Sequence, residues 1–421
     1  MFEIEPKKPM TFVKLGSLGE KDILRIARQA YDGILVTPSV IESFGSSVPS
    51  FIRGLGKPFV IDPMTYIFLQ PIKYVMASKD SKIKRSFIEI SVKYGSIVQR
   101  EIGKRPINWQ DLQNASGNVE ELTKNVINYQ LQRFKRPPSF ADYYHDFELL
   151  LPQVEPEVLI PPYFYFKDTQ DPWYAVSLRF AREVSDVKQQ GWKIFPVILV
   201  PPKLLEKQHE IEIIVRDYAS DNHDGFFIWV NDFKEEDASL KQLEGLVKLV
   251  AALSSFRKPV IKLYGGYFSA LLWHVGLSGF SFGLGYGSSK NIFAYGRAEG
   301  VPNPRYYVPE LHRFLSLPKA EDLLRRYPNL MCDCPTCKAV IGSNLANFSG
   351  MWDANRAAEH FLNARLRELN DLSQRGIGSS LTCLEQSVQN FDRQLLASVN
   401  IDNLRRWHRI LSRFEFPAAV A

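Results

Sequence analysis

The chain has 421 residues, 45% hydrophobic and 23% charged, which is ordinary for a soluble globular protein with a large core. Its formal net charge of +6 permits a nucleic-acid partner without requiring one, because a solvated surface explains the same value. No run of about 20 uncharged apolar residues occurs, which excludes a membrane-spanning helix. Residues 1–8 have no apolar centre, so no signal peptide is expected.

Short apolar runs bounded by glycine and proline alternate with longer amphipathic segments. The runs are continuous rather than alternating, which favours strands of a parallel sheet covered on both faces. The segments 175–184 and 238–249 carry apolar residues at helical spacing. The predicted strands are 33–37, 57–62, 158–162, 194–200, 225–230, 259–264 and 279–283. This alternation predicts an α/β fold, a (β/α)₈ TIM-like barrel, with an open doubly wound sheet as the alternative.

Helical segments are expected to interrupt and extend the barrel. Residues 78–138 have helical patterns and basic patches but no clear strand, and the tail is also mainly helical. The predicted units are the start of the barrel (1–77), a helical insertion (78–138), the remainder of the barrel (139–325), a zinc-binding subdomain (326–375) and a helical tail (376–421). A basic cluster in the tail comprises Arg405, Arg406, His408 and Arg409.

Three cysteines and a histidine predict a metal centre. Cys332, Cys334 and Cys337 lie close together, and His360 follows in a stretch of helical character. Four such ligands suit a tetrahedral Zn²⁺ with no open position, which would be structural rather than catalytic. Unligated thiols are the alternative. Because these cysteines cluster and Cys383 is left over as a packing residue or spare thiol, a reducing, cytoplasmic setting is expected.

Two carboxylates follow predicted strands and are candidates for catalysis. Asp62 ends the run 57–62 and has Tyr66 four residues later, and Asp232 follows the run 225–230. The ends of barrel strands surround the active site, so both could lie at one mouth. Two carboxylates supply the nucleophile or charge stabiliser and the proton carrier of glycosidic-bond chemistry. A strand-ending aspartate that caps the next helix is the alternative for each.

Two glycine-rich loops also end predicted strands. Tyr264, Gly265 and Gly266 open the first, and the second, residues 283–289, includes Gly285. Glycines let the backbone approach a ligand closely, and tyrosines can stack on a base. A tight turn of the barrel is the alternative for each loop.

The cysteine–histidine cluster resembles the zinc subdomain of the tRNA-guanine transglycosylase family, in which a later helix supplies the last ligand. The sequence Asp-Pro-Met-Thr-Tyr at 62–66 is similar to that family's Asp-Ser-Gly-Gly-Tyr/Phe segment. In the family this aspartate is essential to catalysis and the aromatic residue stacks on the purine-like base. The resemblance spans roughly residues 33–372 and implies a (β/α)₈ barrel with a structural Zn²⁺.

The chain departs from the family at two places. Pro63-Met64-Thr65 replaces Ser-Gly-Gly, and Ser281 stands where the family has its nucleophilic aspartate. The Pro-Thr-Arg loop after that strand is replaced by residues 285–288. The segment 264–269 resembles more closely the divergent bacterial and phage branch that exchanges guanine in DNA for a 7-deazaguanine such as preQ₀.

The resemblance therefore implies a pentosyltransferase that exchanges a base in DNA without net hydrolysis. In that expectation Asp62 attacks or stabilises the anomeric carbon of a flipped nucleotide or handles the proton, and Tyr66 stacks on the base. Asp232 is the candidate for the second carboxylate, although no motif match places it there. The glycines Gly265 and Gly266 are expected to offer backbone groups to the incoming base. The other predicted substrate contacts are Tyr264, Ser281 and Gly285. The predicted phosphate contacts, otherwise surface charges, are Lys290, Arg297 and Arg305.

Two alternatives remain open. The enzyme could act on tRNA instead of DNA, or the chain could be a non-catalytic nucleic-acid-binding relative, as Ser281 suggests. Helper proteins of a DNA-modification system are possible partners, and a membrane is not expected.

Overall fold

The computed structural model describes most of the chain and shows a mixed α/β architecture. The residues it describes are 2–76, 82–113, 116–135, 154–184, 188–219, 223–284, 287–294, 303–390 and 399–414.

Seven strands form one parallel, curled sheet at the centre of the fold. Their order across the sheet is β3-β2-β1-β7-β6-β5-β4. Continuous apolar strands need cover on both faces, and every residue of β2 and β5 is buried. The parallel α/β architecture expected from the sequence is confirmed. The strands are β1 (Met10–Lys14), β2 (Gly33–Val36), β3 (Phe59–Ile61), β4 (Val197–Val200), β5 (Phe226–Val230), β6 (Val260–Lys262) and β7 (Gly279–Gly283).

Two strand predictions differ from the structure. β1 lies between β2 and β7 in the sheet, although the sequence analysis assigned no strand to it. The predicted strand 158–162 is wrong as a strand, because only an isolated parallel bridge joins Leu159 to Ile194 there. Pro161 and Pro162 lack the N–H groups that a longer ladder needs.

Helices surround the sheet and extend the fold at its carboxyl-terminal end. The structure has helices α1 (Lys21–Ile26), α2 (Pro38–Phe44), α3 (Ser47–Leu55), α4 (Ile72–Val75), α5 (Arg85–Tyr94), α6 (Ser96–Glu101), α7 (Trp109–Gln113), α8 (Ser116–Gln132), α9 (Pro172–Arg182), α10 (Gln208–Ala219), α11 (Leu240–Ser254), α12 (Tyr267–Leu271), α13 (Leu317–Arg326), α14 (Pro335–Val340), α15 (Ala354–Gln374), α16 (Ile377–Asn390) and α17 (Asp402–Leu411). None of the helices within the described residues is both long and apolar enough to cross a bilayer.

A buried carboxylate joins the helices of residues 82–135 to the sheet layer. Glu42 in α2 accepts hydrogen bonds from Arg133 Nε (2.9 Å), from the Tyr129 hydroxyl (2.7 Å) and from Lys93. Burial alone would raise the pKa of Glu42, but the bonds from Lys93 and Tyr129 and the charge of Arg133 lower it overall. This carboxylate therefore stays ionised and holds α5 and α8 against α2.

An antiparallel hairpin and three helices form the region around the cysteines. The hairpin pairs β8 (Arg305–Val308) with β9 (Arg313–Ser316). Helix α15 packs against β8 on one side and against α1 on the other. This helix therefore connects the hairpin region to the central sheet.

Candidate functional site

Polar and aromatic side chains gather where the parallel strands end, here called the carboxyl edge. Parallel strands place their ends at one edge of a sheet, where ligands of α/β proteins bind. Lys14 ends β1, Asp62 follows β3, Tyr264 follows β6 and Lys290 follows β7. The carboxyl-edge cluster comprises Lys14, Asp62, Tyr66, Tyr163, Trp229, Tyr264 and Lys290.

The two oxygens of Asp62 differ in their partners. The side chain is fully buried, and Oδ1 accepts from the Met64 N–H (2.9 Å) and the Tyr163 hydroxyl (2.5 Å). Oδ2 is buried and has no hydrogen-bond partner among the described residues. Burial and the charge of Asp62 raise the pKa of Tyr163 well above its ordinary value, so this hydroxyl stays protonated and donates. The carboxylate is therefore fixed through one oxygen, and its second oxygen is buried without a partner among the described residues.

The segment after Asp62 is clamped to Tyr163. The Thr65 hydroxyl donates to the Tyr163 carbonyl (2.6 Å) and accepts from the Tyr163 N–H (2.8 Å). Met64 lies in the left-handed region with φ of 55°. A non-glycine residue in that conformation costs on the order of 1–3 kcal/mol, and such strain concentrates at functional sites. The Pro63-Met64-Thr65 sequence thus builds a rigid turn under the carboxylate.

Two lysines interact electrostatically with this carboxylate. Burial lowers the pKa of Lys14, and the negative charge of Asp62 opposes that shift. Burial and the charge of Lys14 lower the pKa of Lys290 well below its ordinary value, again against the attraction of Asp62. An amine with a lowered pKa gives up its proton more readily than an ordinary lysine. The pair is therefore suited to proton transfer or to stabilising a developing negative charge.

Three aromatic rings surround the ammonium group of Lys290. Its Nζ lies 5.0, 5.1 and 5.4 Å from the ring centres of Tyr66, Trp229 and Tyr264. The Nζ also contacts the Tyr66 hydroxyl and lies 3.3 Å from the Tyr264 hydroxyl. Trp229 is fully buried, and its indole N–H has no acceptor within the part of the chain that the structure describes. The Tyr66 ring lies at 88° and the Tyr264 ring at 50° to the Trp229 ring, so the three rings form an angled aromatic lining whose spare donor suits a ligand with a carbonyl group.

Asp232 does not share the buried environment of Asp62. It is exposed, lies in the left-handed region with φ of 52°, and accepts from the Asn291 side chain (3.0 Å). Its N–H donates to the Lys290 carbonyl (2.9 Å). Asp232 therefore positions the segment that carries Lys290, and the charges next to Asp62 are two lysines rather than a second carboxylate.

The predicted backbone donors Gly265 and Gly266 already have acceptors in the protein. Gly265 N–H donates to the Ser281 carbonyl (2.7 Å), and Gly266 N–H donates to Glu235 Oε2 (2.9 Å). A Cβ on Gly265 would lie 2.4 Å from the Ser269 hydroxyl, so close packing explains that glycine. In this arrangement neither N–H is directed at a ligand.

Ser281 has a structural contact at the carboxyl edge. Its hydroxyl accepts from the N–H of Tyr264 (3.0 Å), which lies in the left-handed region with φ of 59°. The serine that stands in the place of the expected aspartate thus holds the strained Tyr264 in place.

The predicted phosphate contacts occupy different places. Lys290 lies within the aromatic cluster, which differs from a lysine that extends toward solvent. Arg305 is exposed on the hairpin, as the first residue of β8. Arg297 and the predicted substrate contact Gly285 lie outside the described residues.

Cys332, Cys334, Cys337 and His360 form a buried group that could hold a metal ion such as zinc. Their ligand atoms all lie within 4.8 Å of one another. His360 Nδ1 is 3.4 Å from Cys334 Sγ and 3.2 Å from Cys337 Sγ. Thiolates bind Zn²⁺ at about 2.3 Å and imidazoles at about 2.0 Å, so one ion fits between atoms at these separations. The donor set and the distances both fit the expected ligand group.

Contacts around this group orient its ligands. His360 Nε2 lies 2.7 Å from the Tyr307 carbonyl, which fixes the proton on Nε2 and leaves Nδ1 toward the thiols. The ring of Tyr306 stacks on that of His360 at 4.2 Å, and its hydroxyl lies 3.3 Å from Cys337 Sγ. Hydrogen bonds from the Cys332 and Cys337 thiols lower the pKa of Cys334, whereas the same contacts between thiols raise the pKa of Cys337, so Cys334 is the thiol that most readily becomes the thiolate that metals bind.

Three members of the carboxyl-edge cluster were not predicted from the sequence. Lys14 had only a weak signal, because Thr11 interrupts the apolar residues of the run 10–13 that it follows. Trp229 lies inside a predicted strand, where an aromatic residue is usually interpreted as part of the hydrophobic core. Tyr163 follows two prolines, and only the long-range pairing with Asp62 gives it a role.

Comparisons with known proteins give no assignment. No protein-family model matches the chain, and no curated protein matches it significantly.

Proposed function

We propose that the protein is a pentosyltransferase that replaces guanine in DNA with a 7-deazaguanine base by cleaving and re-forming the N-glycosidic bond. One observation carries the proposal: the buried Asp62 carboxylate has an Oδ2 without a hydrogen-bond partner among the described residues, in a cluster with two lysines and three aromatic rings. A buried acceptor left without a partner costs about 1–3 kcal/mol, which a purely structural aspartate has no reason to incur. The resemblance to tRNA-guanine transglycosylases supports the same chemistry.

We further propose that the sheet closes into a (β/α)₈ barrel, with residues 157–160 in the place of the missing strand. Glu157 N–H donates to the Phe59 carbonyl in β3 (3.0 Å), and Phe195 N–H donates to the Leu159 carbonyl (3.0 Å) just before β4. These bonds connect the two outermost strands of the sheet. Closure would make the carboxyl edge a barrel mouth, the usual position of a barrel active site.

The reaction needs only one carboxylate in this proposal. Asp62 Oδ2 attacks the anomeric carbon of a flipped nucleotide and forms a C1′–O bond while the C1′–N9 bond breaks. The electron pair of the broken bond stays on N9 of the departing guanine. N9 of the incoming 7-deazaguanine then attacks C1′ and releases Asp62 as a carboxylate. One glycosidic bond is lost and one is formed, so no water is consumed.

The lysines and aromatic residues supply the remaining functions. An ammonium group of Lys14 or Lys290 donates a proton to the departing guanine, and the resulting amine accepts the proton that the incoming base releases. The rings of Tyr66 and Tyr264 pack against the faces of the base. The indole N–H of Trp229 donates to the carbonyl oxygen of the base. Asp62 Oδ2 and the Trp229 N–H, which have no partner among the described residues, then each have one in the substrate.

We propose that the cysteine–histidine group holds a structural Zn²⁺. Three thiolates and one imidazole fill a tetrahedral site and leave no open position for substrate. When bound, the ion would join the turn of Cys332–Cys337 to α15 and, through the contacts of Tyr306 and His360, to the β8–β9 hairpin.

An exchange assay tests the function directly. Isotopically labelled guanine or preQ₀ is incubated with the protein and, in separate reactions, duplex DNA, single-stranded DNA and tRNA, and the nucleosides are analysed by mass spectrometry. We expect label in DNA, and we expect Asp62→Asn to lower the rate by about 10³-fold or more, because it removes the nucleophile. Labelling of tRNA alone would assign the activity to the tRNA-modifying alternative.

A matched variant controls for general damage to the sheet. Asp32 lies at the opposite edge, before β2, where its carboxylate accepts from the Thr11 N–H (2.8 Å). The folded fraction of the Asp32→Asn variant should exchange bases at the wild-type rate. If Asp62→Asn exchanges bases as fast as wild type, the assignment of Asp62 is wrong.

A further inference from the structure

A groove with cationic walls runs between α11 and α17. It has a volume of about 500 Å³. Its charged lining residues are four cations and one carboxylate, Glu244, which gives a net charge of +3. Lys248 pairs with Glu244 at 2.8 Å, so that carboxylate is already neutralised.

The other cations of the groove have no counterion among the described residues. Lys241, Arg409 and Arg413 are exposed and form no ion pair with any residue in the described ranges. Arg409 and Arg413 are four residues apart across the end of α17, so they project from neighbouring turns. Unpaired cations on both walls of a groove attract an extended polyanion.

Apolar side chains form the floor of the groove. Val247 and Ile410 are buried beneath the cations, and the ring of Phe414 lines one end. A cationic groove with an aromatic residue is the usual combination for binding a nucleic-acid backbone and its bases. The floor therefore adds base and sugar contacts to the charge attraction.

The groove is joined to the carboxyl edge. Trp407 Nε1 in α17 donates to the Glu235 carbonyl (3.3 Å), and Arg406 donates to the Glu236 carbonyl (2.5 Å). The side chain of Glu235 binds Gly266, two residues after Tyr264 of the cluster. Because α11 follows β5, its first turn with Lys241 also starts from this edge.

We propose that this groove binds the phosphate backbone of the nucleic acid that flanks the target nucleotide. The proposal rests on the proposed function, because it places the same substrate on a second surface beside the cluster. It assigns the basic tail helix a role in substrate binding that is separate from base exchange.

Binding to nucleic acid at several salt concentrations tests the groove. Fluorescence anisotropy measures the affinity of wild type, Arg409→Glu/Arg413→Glu and Lys241→Glu for labelled duplex DNA, single-stranded DNA and tRNA. We expect the double variant to bind about 10-fold or more weakly and to reduce the slope of log K against log salt by about two, one for each lost phosphate contact. Lys241→Glu, on the other wall, should reduce the slope by about one.

A surface control separates the groove from net charge. Arg25→Glu/Lys319→Glu changes the charge by the same amount at exposed positions in α1 and α13 and should leave the slope unchanged. If the groove variants and wild type have equal affinity and slope, the inference is wrong, and the groove suits an acidic protein partner instead. Weaker binding by the groove variants without base exchange by wild type would support the groove and contradict the proposed function. A wild type that binds no nucleic acid would overturn both.

Discussion

Asp62 combines two features that seldom occur together in a structural aspartate. Two donors hold Oδ1 in a fixed position, whereas the equally buried Oδ2 has no partner among the described residues. A carboxylate that only capped the next segment would use the Met64 N–H and leave its other oxygen in water. The tyrosine and the burial therefore indicate a group that is oriented before a ligand arrives, which lowers the cost of reaching a transition state.

Lys290 gives a prediction in which activity and stability change in opposite directions. Because burial lowers its pKa, the unfolded chain binds more protons than the folded protein between that lowered pKa and the ordinary value of 10.5. The free energy of unfolding should therefore rise with pH through this range. Lys290→Met should flatten this rise, increase stability at neutral pH and abolish base exchange. Thermal unfolding at a series of pH values, with the exchange assay, measures both effects.

Lys73→Met is a suitable control for this prediction. Lys73 is exposed but also lies over an aromatic ring, 5.1 Å from the centre of Tyr74. Its replacement should leave both the pH slope and the exchange rate unchanged. An unchanged pH slope in Lys290→Met would mean that Lys290 is not desolvated, contrary to the position described for its ammonium group.

At the residue scale, the sequence predicted those functional side chains whose role depends only on their neighbours along the chain. Asp62 and Tyr66 were found because one ends an apolar run and the other follows at a fixed distance. Tyr163 lies 101 positions from Asp62 along the chain, and no periodicity reports such a pairing. Lys290 was predicted as a phosphate contact because a lysine after a glycine-rich loop is usually exposed, and only the folded loop places it among aromatic rings.

The elements of the carboxyl edge share a strained geometry. Met64, Asp232 and Tyr264 each follow a strand of the sheet and each has a positive φ without being glycine. Side chains stabilise these turns, since the Asp62 carboxylate binds the Met64 N–H and the Ser281 hydroxyl binds the Tyr264 N–H. Three strained turns at one edge support the ligand site proposed there, because backbone strain concentrates at functional sites.

The buried ion pair of Glu235, which follows β5, and Lys262, which ends β6, gives a prediction for the free energy of unfolding. Glu235 and Lys262 are each 1% exposed in their side chains and lie 3.0 Å apart. Glu235→Gln keeps an acceptor for the Gly266 N–H but leaves the Lys262 ammonium without a counterion. An uncompensated buried charge costs about 3–5 kcal/mol, and chemical denaturation should show a loss of that size.

A second substitution tests the cause of that loss. Lys262→Met added to Glu235→Gln removes the stranded charge and should recover most of the stability. Glu244→Gln, which breaks the exposed pair with Lys248, should cost less than about 1 kcal/mol. If Glu235→Gln is no more destabilising than Glu244→Gln, the pair does not hold the loops of the carboxyl edge together.

At the element scale, the strands were predictable where burial is uniform. β2, β5 and β7 carry only apolar or small residues, so their patterns have one interpretation. β1 contains Thr11 and ends in Lys14. Because of this mixture of apolar, polar and charged residues, β1 was not predicted as a strand. The segment 158–162 has a strand-like composition, but its prolines limit it to a bridge.

Across the whole molecule, α15 connects the cysteine–histidine group to the carboxyl edge. It carries His360 and, one turn later, the buried Arg365, which pairs with Glu368 at 3.0 Å. The Arg365 guanidinium also lies 5.8 Å from the ring of Tyr267, which begins α12. A displacement of α15 would therefore also displace Tyr267 and the neighbouring loop that contains Tyr264. The sequence predicted the four ligands but not this connection, which depends on how the helix packs.

Removal of the metal should therefore affect both stability and base exchange. We expect the purified protein to contain about one equivalent of zinc by elemental analysis, and we expect a chelator or Cys337→Ser to lower both the metal content and the melting temperature. The hairpin, the cysteine turn and α15 lose their common anchor, so exchange should fall together with stability.

Cys383→Ser is the matched control, because Cys383 lies outside the ligand group and its thiol accepts from Arg375 (3.1 Å). It should retain the metal and the melting temperature of wild type. A metal-free wild type whose melting temperature resists chelation would show that these thiols stabilise the fold without an ion.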